Sequence, residues 1–121
     1  MLQEARGFPL ITEAAAGFGG GIGGEQDVCG AISGAVIAIG YREGRRGGNQ
    51  MEIARAARPF VRDVYEGFRE RFGAVDCRAL TGYDFSDPVQ NEKAHADSER
   101  AAKCQYYKEW VIRRLLEGSA P

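Results

Sequence analysis

The chain has 121 residues, 44% of them hydrophobic and 27% charged, which suits one globular domain and is too short for two independent cores. A formal net charge of -1 supplies no basic field to recruit nucleic acid or an anionic membrane. The longest apolar run, AVIAIG from Ala35, is far below the roughly 20 residues of a membrane-spanning helix, so no membrane partner is expected.

Glu4 and Arg6 stand early in an N-terminal stretch that lacks a continuous apolar segment ending in a small-residue cleavage site, the pattern of a cytoplasmic protein. Pro9 suits the first turn of a short helix, because its missing N–H is one that a first turn leaves unpaired anyway. Leu10, Ile11 and Ala14 to Ala16 continue that helix until Gly17. Residues 17–24 carry six glycines and predict a loop held by its surroundings, since each glycine adds backbone entropy that folding must remove. Asp27 is placed to cap a second helix, in which Val28, Ile32, Ala35, Val36 and Ile39 recur at helical spacing until Gly40.

Residues 42–50 read as a polar surface turn ending in Asn49, a second candidate cap. From Met51 to Phe72 an apolar stripe through Ala54, Ala57, Val61, Val64, Tyr65 and Phe68 predicts the longest helix, with Pro59 expected to kink or split it. Gly73 stops this helix. Asp76, one helical turn and Gly82 come next, and residues 83–97 read as a polar loop with at most one turn. Ser98 is the expected cap of a last helix whose apolar face carries Ala101, Cys104, Tyr107, Val111 and Leu115. No segment alternates as a strand. The expectation is one compact all-α domain over residues 1–121, with four to five helices and a glycine-rich loop before the second.

Gly19, Gly21 and Gly24 satisfy G-x-G-x-x-G, with Glu43 about twenty residues beyond. A dinucleotide fold needs strands on both sides of that pattern, and the flanking segments read as helix and turn. Gly30, Ala31, Gly34, Ala35 and Ala38 give the second helix a small-residue face, suited to close packing or to a homo-oligomer, most simply a dimer.

Three cysteines at distant positions, Cys29, Cys77 and Cys104, do not make the even, dense framework of a secreted disulfide scaffold. Behind caps at Asp27 and Asp76, Cys29 and Cys77 each fall in a first helical turn, where the dipole favours thiolate. That makes them the expected exposed and acidic thiols, with Cys104 as resolving thiol or third ligand. His95 completes no zinc spacing and reads as solvated, and no serine occupies a G-x-S-x-G elbow.

The stretches AAAGFGGGIGG, CGAISG and YEGFRERFGAVDCRALTGYDF, followed by a lone Cys104 in a C-terminal helix, resemble the small redox-active proteins of the C_GCAxxG_C_C type over Ala14 to Leu116. The CGAxxG motif is Cys29, Gly30, Ala31 and Gly34. The resemblance implies an all-helical domain whose separated cysteines gather into a redox or metal-binding site, with a metal ion or iron–sulfur cluster as the cofactor to consider. It also implies a further cysteine upstream of the F-G-G-G loop, and no cysteine precedes Cys29 in this sequence.

The expected site is therefore Cys29, Cys77 and Cys104, acting by thiol–disulfide exchange or as metal ligands, beside a backbone cradle of Gly19, Gly20, Gly21 and Gly30. The electron or thiol partner stays open. The competing expectations are a non-enzymatic oligomerisation module with inert cysteines, and a small-ligand site built on the glycine loop.

Overall fold

The computed structural model describes residues 12–118. The expected helix opening at Pro9 lies outside them, and the first described element, Thr12–Phe18, is a 3-10 helix. Five α-helices come next: α1 (Gly30–Gly44), α2 (Gln50–Phe72), α3 (Cys77–Thr81), α4 (Pro88–Ala96) and α5 (Ser98–Gly118). Among the described residues, strand-like pairing is confined to an isolated antiparallel bridge between Val28 and Asp76, so the fold is all-α. That removes the strands a dinucleotide fold would need. No helix among these residues is long and apolar enough to cross a membrane.

Several boundaries move for identifiable reasons. Asp27 does not cap α1. Its N–H donates to the Gly21 carbonyl at 2.9 Å and its own carbonyl accepts from Cys77 N at 2.8 Å, so it is committed to the bridge and Cys29 becomes the N-cap. At the other end α1 continues past Gly40 to Gly44. Its last turn carries a buried carboxylate, Glu43, which accepts from Arg42 Nε at 2.9 Å and Arg46 Nη1 at 3.4 Å. The Arg42 guanidinium also lies 4.4 Å from the centre of the Phe60 ring on α2. These contacts tie the turn to the core, so the expected surface turn begins only at Arg45.

α2 starts with a full capping box: Glu52 N donates to Asn49 Oδ1 at 3.0 Å, and Asn49 N donates to Glu52 Oε1 at 3.3 Å. It ends at Gly73 in the left-handed region, φ 83°. Pro59 does not split it. The proline lies on the exposed side, where water can satisfy the carbonyl that its missing N–H leaves unbonded.

Residues 83–97 are more helical than their polarity suggests, because Asp87 caps α4 through Val89 N (3.1 Å) and Pro88 takes its first position. The cap of α5 is Asp97 rather than Ser98. Its Oδ1 accepts from Glu99 N at 2.9 Å and Arg100 N at 3.2 Å.

α1 packs on α2 and α5, α2 also meets α5, and α4 lies on α5. Ile32, Ala35 and Ile39 of α1 close on Val64 and Phe68 of α2 and on Tyr107, Val111 and Leu115 of α5. Phe68 is fully buried, with ring centroids 4.7 Å from Phe72, 5.5 Å from Tyr107 and 5.8 Å from Trp110. Burying such a side chain contributes about 1.5–3 kcal/mol, and each well-oriented ring pair about 0.5–1.5 kcal/mol more. The small-residue face of α1 is divided. Ala35 and Ala38 are buried in this core, while Gly34 is exposed and a Cβ there would meet nothing within 4 Å.

Candidate functional site

The glycine-rich loop is a self-bonded coil. Ile22 N donates to Phe18 O (3.1 Å), Gly23 N to Gly17 O (2.7 Å), Gly24 N to Gly19 O (3.0 Å) and Gln26 N to Gly20 O (2.8 Å). Such tight winding requires left-handed backbone. At Gly21, φ is 73° and a Cβ would sit 2.6 Å from the Asp27 N and O atoms, so no other residue fits. Two non-glycine residues, Ile22 (φ 67°) and Gln26 (φ 60°), adopt the same region. Left-handed backbone costs a non-glycine residue roughly 1–2 kcal/mol, which the surrounding bonds must offset.

The loop delivers the chain to the bridge. Cys29 N donates to Val75 O at 2.7 Å and Cys77 N to Asp27 O at 2.8 Å, so residue 29 faces 75 and residue 77 faces 27. Cys29 and Cys77 therefore lie diagonally on one face of the bridge. Diagonal neighbours of this kind have Cα atoms roughly 7–8 Å apart. Cys104 reaches the same place from the apolar side of α5, although Ala101, one turn earlier, is exposed.

All three cysteines are free thiols, partly buried, and they line one pocket of about 300 Å³. The expected cradle residues Gly19, Gly20, Gly21 and Gly30 line it too. The N–H groups of residues 22–27, beyond that cradle, donate to carbonyls within the loop itself. Leu80, Thr81 and Phe85 form another wall, and His95, Arg100, Tyr107 and Lys108 complete the lining. His95 belongs to α4 rather than a loop. Its Nδ1 donates to the Asn91 carbonyl at 2.7 Å, and its ring centroid is 6.0 Å from that of Phe85.

Three residues outside the sequence-based site organise it. Gln26 is buried, and its Nε2 donates to Tyr83 O (2.7 Å) while its Oε1 accepts from Phe85 N (2.7 Å), fixing the wall beside Cys77. Arg100 Nη1 donates to Cys104 Sγ at 3.6 Å, with its Nε anchored on Ala94 O at 2.6 Å. Lys108, one residue after Tyr107, adds a second cation to the lining. Sequence spacing carries one usable sign of this: Arg100 and Lys108 lie four residues either side of Cys104, on the same stretch of helix.

The electrostatics reverse one expectation. Burial pushes the Cys29 thiol above its ordinary value, opposed by the Ala31 and Ile32 amides at the start of α1, and the nearby Cys104 sulfur pushes it further. Burial also raises Cys77, against a lowering hydrogen bond from Gln26, and the Cys29 and Cys104 sulfurs add to the rise. Cys29 and Cys77 are thus not the acidic thiols that their positions at helix starts suggest. Desolvation outweighs the dipole.

The family model described as "Putative redox-active protein (C_GCAxxG_C_C)" matches residues 2–117, nearly the whole chain. This protein belongs to the C_GCAxxG_C_C family. No curated protein and no solved structure matches it. For a C_GCAxxG_C_C protein the metal expectation can be tested on the donors themselves. Structural zinc needs four, and an iron–sulfur cluster is held by several cysteine thiolates. Among the described residues no group of three or more Cys, His, Asp or Glu side chains is arranged to hold a metal ion. The three thiols share a pocket without forming a ligand set for zinc or an iron–sulfur cluster.

Proposed function

We propose that this redox-family protein performs thiol–disulfide exchange in the pocket, with Cys104 as the attacking thiol and Cys29 or Cys77 resolving the mixed disulfide. The observation that carries this reading is the meeting of three free thiols, distant in sequence, on one small pocket with Arg100 against the Cys104 sulfur. A cation there meets the negative charge that sulfur carries as nucleophile or as leaving group. Burial raises the Cys29 and Cys77 thiols, so in the second step the resolving thiol must pass its proton to the departing thiolate as it attacks the mixed disulfide. A direct Cys29–Cys77 bridge is disfavoured, because diagonal neighbours roughly 7–8 Å apart reach or exceed the about 7 Å that a disulfide spans.

The test is oxidation of reduced protein with one equivalent of diamide, which accepts two electrons and two protons. Free thiols should fall from three to one, and peptide mapping should find an intramolecular disulfide containing Cys104. Persistence of all three thiols, or formation of intermolecular disulfides alone, would reject the proposal and favour inert structural cysteines.

A further inference from the structure

The charged groups of the pocket run against the composition of the chain. With 17 acidic residues and 16 lysines and arginines overall, an unbiased lining would carry both signs. The described lining holds Arg100, Lys108 and the imidazole of His95, and no carboxylate. Neither Arg100 nor Lys108 is in an ion pair among the described residues, whereas Asp63, Glu43 and Asp84 each pair with arginines elsewhere. Arg100 is half-buried and held in place by Nε on Ala94 O, with Nη1 donating to the Cys104 sulfur at 3.6 Å. A cleft lined by one sign of charge raises the local concentration of ligands of the opposite sign.

Size narrows the ligand further. About 300 Å³ is at the lower end of small-molecule sites, which run from roughly 300 to 1,000 Å³. That accommodates a short-chain disulfide and leaves little room for a folded protein's loop.

Resting on the exchange reading above, we propose that the pocket takes a small anionic disulfide, RSSR with carboxylate-bearing R groups, whose carboxylates are met by Arg100 and Lys108. The Cys104 sulfur forms a bond to one substrate sulfur, the substrate S–S bond breaks, and RSH leaves carrying the proton that Cys104 gave up. Cys29 or Cys77 then attacks the mixed disulfide, giving a protein disulfide and a second RSH. The protein dithiol is oxidised by two electrons, and RSSR is reduced to two RSH. Lys108 binds and positions without touching the reacting sulfurs.

The experiment reacts reduced protein with dithiodiglycolate, hydroxyethyl disulfide and cystamine, which are anionic, neutral and cationic. Each rate is divided by that of the same disulfide with free mercaptoethanol, which removes intrinsic reactivity. The anionic disulfide should lead the neutral one by about tenfold and the cationic one by more, as expected for a cleft of one charge sign. Lys108→Gln should shrink this preference, Lys108→Arg should keep it, and rising ionic strength should erode it in the native chain. Equal normalised rates for all three disulfides would overturn the substrate inference and leave exchange standing. Failure of every disulfide to yield an intramolecular protein disulfide would reject exchange itself, and this inference with it.

Discussion

The buried Gln26 side chain accepts the Phe85 amide at 2.7 Å and, through its other end, donates to the Tyr83 carbonyl at 2.7 Å. One side chain thus fastens the 81–85 wall to the glycine loop, across more than fifty residues of sequence. Gln26→Ala removes both bonds and leaves the Phe85 N–H without its partner. A loss of about 1–3 kcal/mol in urea unfolding is expected, the cost of stranding buried polar groups. An unchanged midpoint and slope would show that water replaces the amide without penalty.

Glycines in the loop should differ sharply under substitution. Gly21→Ala combines φ 73° with a 2.6 Å backbone clash and should be the most destabilising change in the loop, by more than the roughly 1–2 kcal/mol of left-handed strain alone. Gly23→Ala, with φ 60° and nothing within 4 Å, should carry only that strain. Gly19→Ala meets no atom within 4 Å and has no positive φ, so it should be close to neutral. Thermal melts of the three variants rank them, and a Gly19 variant as unstable as the Gly21 one would contradict the packing described.

The buried thiols set an alkaline limit on stability. Cys29 and Cys77 have folded-state values raised above the unfolded ones, so the folded protein binds these protons more tightly. Their contribution is complete below the ordinary thiol value of about 8.5, and is lost as pH rises through the higher folded values. Unfolding free energy of the reduced protein should therefore decline above about pH 8.5, and less steeply in Cys29→Ala and Cys77→Ala. Equal alkaline slopes in native chain and variants would show that the thiols titrate alike in both states.

Arg114 grips Asp63 with two bonds, Nε to Oδ2 at 2.9 Å and Nη2 to Oδ1 at 2.8 Å, and joins α5 to α2. The hydrogen-bonded guanidinium holds the Asp63 carboxyl below its ordinary value, so the pair stabilises the fold above the unfolded value of about 3.9 and loses that contribution as pH falls through the folded one. Both side chains are well exposed, which confines the effect to about 0–1 kcal/mol. Asp63→Asn should lower stability slightly at neutral pH and low salt, with the difference vanishing in acid. A difference that persists at low pH would assign the effect to packing.

Helix starts and stops that depend on local chemistry were legible residue by residue. Asn49 with Glu52, Asp76, Gly73 and Gly82 act where their side chains or lack of one predict, because caps are satisfied by neighbours a few positions away. Where tertiary contacts compete, local chemistry loses. Asp27 spends its backbone on the bridge to Cys77 instead of capping, and Glu43 extends α1 because Arg42, Arg46 and Phe60 bury that turn.

By itself, then, the sequence determined an all-helical chain, the family to which its CGAxxG motif belongs, and the three cysteines and four glycines that line the pocket. Only the tertiary structure decided what surrounds those sulfurs. Arg100 and Lys108 become pocket residues because α5 lays one face against the loop, and Gln26 becomes a structural hub because the loop folds back on residues 81–85. It also decided the character of the thiols. A helix start favours thiolate over a few ångströms, but the depth of burial is set by every element packed around the site, and here burial prevails at Cys29 and Cys77.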